Sequence, residues 1–90
     1  MGNVQTDLEA MIDFRARLMR FNAGLDADYH GMVASWQSLG DVWRDAKYAE
    51  FGDALNEVGR GIERYLAATA SHQQHLLRLI EAIQSYQDVR

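Results

Sequence analysis

His72-Gln73-Gln74-His75 places two imidazoles at i and i+3, close enough on one helix face to share a metal ion. The nearby acidic groups are Glu81 and, across a helical hairpin, Glu9 and Asp13. A carboxylate-bridged centre in a helical bundle instead repeats Glu-x-x-His on paired helices, and that spacing occurs nowhere in the chain. His72 is therefore read as a residue of a helix seam with a satisfied hydrogen bond, and His75 as a surface residue. Ser35, Ser38, Ser71 and Ser85 have no convincing base and third member beside them, so nucleophilic catalysis lacks its constellation. Gly59-Arg60-Gly61 falls in mid-heptad and does not follow a strand, which excludes a phosphate loop. Arg60 and Arg64, with Glu57 and Glu63 beside them, form a solvated mixed-charge face. These residues predict no enzyme, no metal and no cofactor.

The whole chain narrows the remaining classes. Ninety residues make one thin domain, 1–90, in which a lone hairpin is marginally stable. There is no cysteine, hence no disulfide framework and no thiolate metal site. Nine basic residues against thirteen acidic give a net charge of −4 without a basic cluster, which argues against nucleic acid as a partner. No apolar run approaches the roughly 18 to 20 residues of a membrane span. No basic region followed by an apolar core marks a cleaved secretory signal. Met1 to Thr6 fits the literal N-myristoylation pattern, but Thr6 has a simpler role as a helix cap.

That cap belongs to Thr6-Asp7-Leu8-Glu9, a capping-box pattern that starts the first helix. From there Leu8, Met11, Arg15, Leu18, Asn22 and Leu25 recur at alternating spacings of three and four, continued by Tyr29, Met32, Trp36 and Leu39. This is a heptad seam whose polar members are Arg15 and Asn22. Gly40 stands where a C-terminal glycine ends a helix, and Asp45 can cap the next one, with Asp41 as competitor. The second seam runs Tyr48, Phe51, Leu55, Val58, Ile62, Tyr65, then Thr69, His72, Leu76, Leu79, Ile83, Tyr86. Ten of these twelve positions are apolar or aromatic, so the second arm is a long amphipathic helix. Gly52, Ala54, Gly59, Gly61, Ala68 and Ala82 lie beside it, small enough to let another helix approach closely.

The pattern predicts an all-α, antiparallel two-helix hairpin: a helix over about 7–39, a bend at 40–45 and a helix over about 46–88. Matching the helix ends pairs positions whose numbers sum to about 85, given equal rise along both arms. Arg15 then nears Thr69 and His72 in a polar layer that fixes register. Leu79, Ile80, Ile83 and Tyr86 overhang the first helix as bare apolar surface, with Met1 and Val4 covering only part of it. The expectation is a homodimer or heterodimer with a similar hairpin that completes a four-helix bundle.

The segment Val42-Trp43-Arg44-Asp45, followed by Tyr48 and Phe51, sits between two long helical arms in a chain of this size. In that layout the chain resembles the WXG superfamily of type VII (early-secreted-antigen-like) secretion targets. Trp43 matches the family's tryptophan at the bend, and Tyr48 and Phe51 match the bulky residues early in its second helix. Asp45 replaces the family's glycine, and Tyr86 is followed four residues on by Arg90 rather than by the acid of the family's export signal. The resemblance implies a bacterial, non-catalytic, protein-binding hairpin with Trp43, Asp45, Tyr48 and Phe51 at its partner surface. It implies a secreted substrate or co-secreted partner of a larger effector, made in the cytoplasm, handled by a secretion ATPase and exported without a cleaved signal peptide. The alternative is a cytosolic helical-bundle adaptor that is not exported.

Overall fold

Two unbroken apolar repeats without proline leave the chain one economical solution, a helix, a short bend and a helix folded back on it. The computed structural model describes residues 4–88, and in it α1 spans Val4–Leu39 and α2 spans Ala46–Asp88. The helices of 36 and 43 residues lie side by side as a rod of 69 × 21 × 17 Å. Val4 is already helical, so Thr6 is not the cap of α1; the Gln5 side chain donates to Glu9 there (3.4 Å). Met1, Gly2 and Arg90 lie outside the described residues.

The bend is closed by backbone bonds. Gly40 N–H donates to the Gln37 carbonyl, and the N–H groups of Val42 and Trp43 both donate to Leu39 O, satisfying carbonyls that the last turn of α1 leaves over. Gly40 follows the last residue of α1, as expected, and does so without a positive φ. Its smallness serves packing instead: a Cβ would come within 2.8 Å of the Tyr48 hydroxyl. Asp45, rather than Asp41, caps α2, its Oδ1 accepting Lys47 N–H at 3.0 Å.

The joint between the helices has a constant register. Trp36 lies over Gly52, Tyr29 over Gly59, and Arg15 Nε donates to Gln73 O at 3.1 Å, so each pair of numbers adds to 88 (36 and 52, 29 and 59, 15 and 73). Leu8 and Ile80, the next pair on that register, are both buried. Matching the helix ends missed this by about three residues, or about 4.5 Å of helix rise, because Gly40 continues the packing of α1 against Tyr48.

On α2 the seam also differs by one residue in half of its positions. Tyr48, Leu55, Ile62, Thr69, Leu76 and Ile83 face α1 as expected. The alternate positions are Gly52, Gly59, Leu66, Gln73 and Ile80, not Phe51, Val58, Tyr65, His72 and Leu79. Glycine at 52 and 59 makes the difference, because the rings of α1 need vacancies opposite them and the larger neighbours turn outward.

Candidate functional site

At the bend, four aromatic side chains meet. Trp36 stacks flat on Tyr48, with centroids 4.5 Å apart and an interplanar angle of 10°. Trp43 meets Tyr48 edge-on at 5.5 Å and leans toward Phe51 at 6.4 Å. Reciprocal hydrogen bonds fix the stack: Trp36 Nε1 donates to Tyr48 O (3.1 Å) and Tyr48 Oη donates to Trp36 O (2.9 Å). The second bond also occupies a terminal carbonyl of α1. Trp43 is held by its own route, Nε1 donating to Asp45 Oδ1 at 2.7 Å. The same oxygen caps α2, so one carboxylate orients the indole and starts the helix.

Farther along, α1 presents donors at heptad spacing. Tyr29 Oη donates to Leu55 O (3.2 Å), Asn22 Nδ2 to Thr69 Oγ1 (2.9 Å) and Arg15 Nε to Gln73 O. Each such bond contributes about 1 kcal/mol net, but each is directional, so together they specify one register. The expected layer of Arg15, Thr69 and His72 is thereby corrected. Thr69 belongs to Asn22, Arg15 reaches the backbone of Gln73, and His72 is exposed. Asn22 is 7% exposed, and its Oδ1 is buried without a hydrogen-bond partner.

The open end also departs from expectation. Ile80 is 6% exposed and Ile83 is half-buried, both within the internal joint, while Leu79 and Tyr86 face outward. Ile80 is therefore not part of an overhang, because α1 reaches it through Leu8. Phe51, Val58, Tyr65, His72, Leu79 and Tyr86 recur every seven residues, which puts them in one column along α2. The two surfaces expected at the bend and at the open end are thus ends of one strip. On α1 the matching column holds Phe14 and Phe21, and Phe21 meets Tyr65 edge-on at 6.2 Å, which places both columns on the same side of the hairpin.

Gly52 and Gly59 are partners of particular rings, which apolar spacing alone does not reveal. The signal was available in Tyr29 and Trp36, two large residues seven apart, with two glycines seven apart on the other arm. Gly24, Gly31 and Gly61 are different. A Cβ at Gly24 or Gly31 would meet nothing within 4 Å, and one at Gly61 only the end of Arg64 at 3.9 Å. Each costs about 1 kcal/mol of helix propensity relative to alanine, and the hairpin itself gives no reason for it.

Among the described residues the ion pairs stay within single helices on exposed faces, His30 with Asp26, Lys47 with Glu50 and Arg60 with Glu57, and add little. Among the described residues no group of three or more His, Cys, Asp or Glu is placed to hold a metal. No helix among them is long and apolar enough to cross a membrane. The grooves are shallow; one of about 360 Å³ is lined by Ile12, Ala16, Met19, Leu77 and Ile80 on the side away from Phe21. The arrangement leaves aromatic and aliphatic side chains exposed along both helices. No protein-family model, no curated protein and no solved structure matches this chain.

Proposed function

We propose that this chain is a non-catalytic, protein-binding helical hairpin of the kind it resembles, a WXG-like type VII secretion target acting as a secreted substrate or as the co-secreted partner of a larger effector. The observation that carries the binding half of this reading is the imbalance between core and surface. Among the described residues Leu8, Leu55 and Ile80 are the buried hydrophobic ones, whereas Phe14, Phe21, Met32, Phe51, Val58 and Leu79 are among the large apolar side chains left exposed. Surface of that kind is characteristic of an interaction site. The family half rests on the tryptophan at the bend; Asp45, which stands where the family has glycine, departs from the motif and holds the Trp43 indole while capping α2.

A second reading, a cytosolic adaptor, is favoured by one feature: Tyr86 is followed by Arg90 where the export signal has an acid. Expression in a bacterium with and without its type VII secretion ATPase separates the two. Secretion reading: the chain, co-expressed with its effector, reaches the medium only when the ATPase is present. Retention in the cells under both conditions supports the adaptor.

A further inference from the structure

We propose that the middle of the rod, on the side of Phe21 and Tyr65, takes a short acidic segment of another protein. An apolar residue of that segment sits over the ring pair, and its carboxylates pair with Arg17 and Arg64. The inference rests on the protein-binding reading above and gives the partner a chemistry.

The first argument is charge. From Phe14 to Leu25 on α1, and from Arg64 to Ile80 on α2, there is no aspartate or glutamate. The two stretches are far apart in sequence, and the chain-wide balance of nine basic against thirteen acidic residues hides them. The register of the joint, in which paired numbers add to 88, sets 14–24 beside 64–74. The resulting band holds Arg15, Arg17, Arg20 and Arg64 and none of the thirteen acids, in a chain of net charge −4. None of these four arginines takes part in an ion pair among the described residues. Arg15 gives its Nε–H to Gln73 O in the joint, and the other three are exposed. Cations gathered without counter-charge make a local field that attracts an anionic partner.

The second argument is the shape of one face. Phe14, Arg17, Phe21 and Gly24 follow at spacings of three and four, so they share a face of α1. Gly61, Tyr65, Ala68 and His72 do the same on α2, and the edge-on contact of Phe21 with Tyr65 sets the two faces side by side. Arg17 stands one turn before Phe21. The Arg64 guanidinium comes within 3.9 Å of where a Cβ on Gly61 would lie. The ring pair is thus flanked by a guanidinium from each helix, and Gly24, Gly61 and Ala68 keep the surface around it low. Phe14, Arg17 and Arg20 also line one open groove of about 480 Å³, whose wall Asp13 and Ala16 complete. Arginine suits such a seat, because its planar fork takes a carboxylate through two parallel bonds.

Length selects the occupant. The band ends at Asp13 and Asp26 on α1, and at Glu63 and Glu81 on α2. Phe14 to Leu25 rises about 17 Å, the span of about five residues of extended chain. A nucleic acid longer than that carries its phosphates over the acids on either side. A membrane plane meets the whole 69 Å rod and its net negative charge. A short acidic segment meets the band alone.

Fluorescence anisotropy with the purified full chain is the test. The probes are a short dye-labelled peptide in which Glu and Asp alternate with Leu and Phe, and a second in which Gln and Asn replace the acids. The acidic peptide should bind, more weakly as salt is raised, and the neutral one should not. Arg17→Glu and Arg64→Glu, both at exposed positions, should each raise the Kd about tenfold while leaving the helical circular dichroism intact. Lys47→Glu, the same change of charge outside the band, should leave the Kd unchanged. Equal binding of the neutral peptide, or indifference to both arginine changes, overturns the acidic partner and leaves a protein-binding face. Tighter binding of a single-stranded oligonucleotide or of vesicles rich in anionic lipid, lost in the same two variants, also overturns it and assigns the band to that polyanion. Failure of every probe overturns the band as a site. The protein-binding reading falls with it only if the folded chain also binds no apolar-surface dye.

Discussion

The two halves of this hairpin hold together by different means. Toward the bend, α1 sets Tyr29 and Trp36 into vacancies at Gly59 and Gly52, and the stacked Trp36–Tyr48 pair is tied at both ends by hydrogen bonds. Toward the open end the same column of α1 carries Asn22 and Arg15, which find a hydroxyl and a backbone carbonyl instead. Burial and stacking of an aromatic ring contribute several kcal/mol, whereas the net contribution of a hydrogen bond is about 1 kcal/mol. The bend half therefore supplies most of the internal stability. The open half supplies register, and its terminal pair, Leu8 with Ile80, closes the joint. Native-state hydrogen exchange should accordingly show the bend half opening last.

The most severe break of this contrast is Trp36→Ala. It removes the ring over Gly52, the stack on Tyr48 and the bond to Tyr48 O together. A loss of about 3 kcal/mol is expected, read by urea unfolding at fixed protein concentration. A loss smaller than about 1 kcal/mol, the value of a hydrogen bond alone, would mean that the bend half is not the anchor.

The glycines sharpen the point. Gly52→Ala forces a methyl group against the six-membered ring of Trp36, which its stack and hydrogen bond hold in place. Overpacking of this sort costs about 1 to 3 kcal/mol, more than the propensity gain of about 1 kcal/mol, so a net loss is expected. Gly59→Ala meets the hydroxyl end of Tyr29, the far tip of a side chain that can swing aside and give up its bond to Leu55 O. Its net effect should be nearer zero. Equal losses at the two positions in parallel thermal melts would show that Tyr29 is as tightly held as Trp36.

In the open half the sign should reverse. Asn22→Leu removes a buried amide whose Oδ1 has no partner and substitutes an apolar side chain of similar size. Replacing an imperfectly satisfied polar group this way stabilises by about 1 kcal/mol, at the expense of a register-specifying bond to Thr69. The expected pattern is a higher unfolding midpoint with broader heteronuclear line widths at neighbouring positions. A destabilised variant would indicate that Asn22 contributes more to this joint than its one bond to Thr69.

Much of this was legible in the sequence, and what was not has a specific cause. The helix period over Tyr48 to Tyr86 and the junction at Leu39 to Ala46 follow from apolar spacing, Gly40 and Asp45; α2 lies where that spacing puts it, whereas α1 begins at Val4, ahead of the expected start. Period alone does not say which of two adjacent columns faces inward. A rule that seeks large apolar residues chooses Phe51 and Val58, whereas the joint uses Gly52 and Gly59 because the large partners are on the other helix. Register failed for a related reason. Matching the ends treats the bend as having no length along the rod, but Gly40 packs on Tyr48 and carries the pairing past Leu39. Of the candidate site residues, Trp43, Tyr48 and Phe51 do form a cluster. Ile80 and Ile83 belong to the internal joint because its register reaches them.

The smallest effect separates two jobs that Asp45 performs with one oxygen. As the cap of α2 it accepts Lys47 N–H, and as a clasp it accepts the Trp43 indole. Asp45→Ala should lose about 1 kcal/mol of stability, whereas Asp45→Gly should lose only a few tenths, because glycine is tolerated at a helix start. Both variants release the indole. If the clasp orients Trp43, the two substitutions lower tryptophan fluorescence anisotropy alike even though their unfolding midpoints differ. Trp36→Phe, made in each background, isolates the Trp43 signal while keeping a ring over Gly52. Anisotropy that follows the midpoints instead would mean that Trp43 is ordered through Tyr48 and Phe51. A glycine would then serve at position 45 as well as the aspartate.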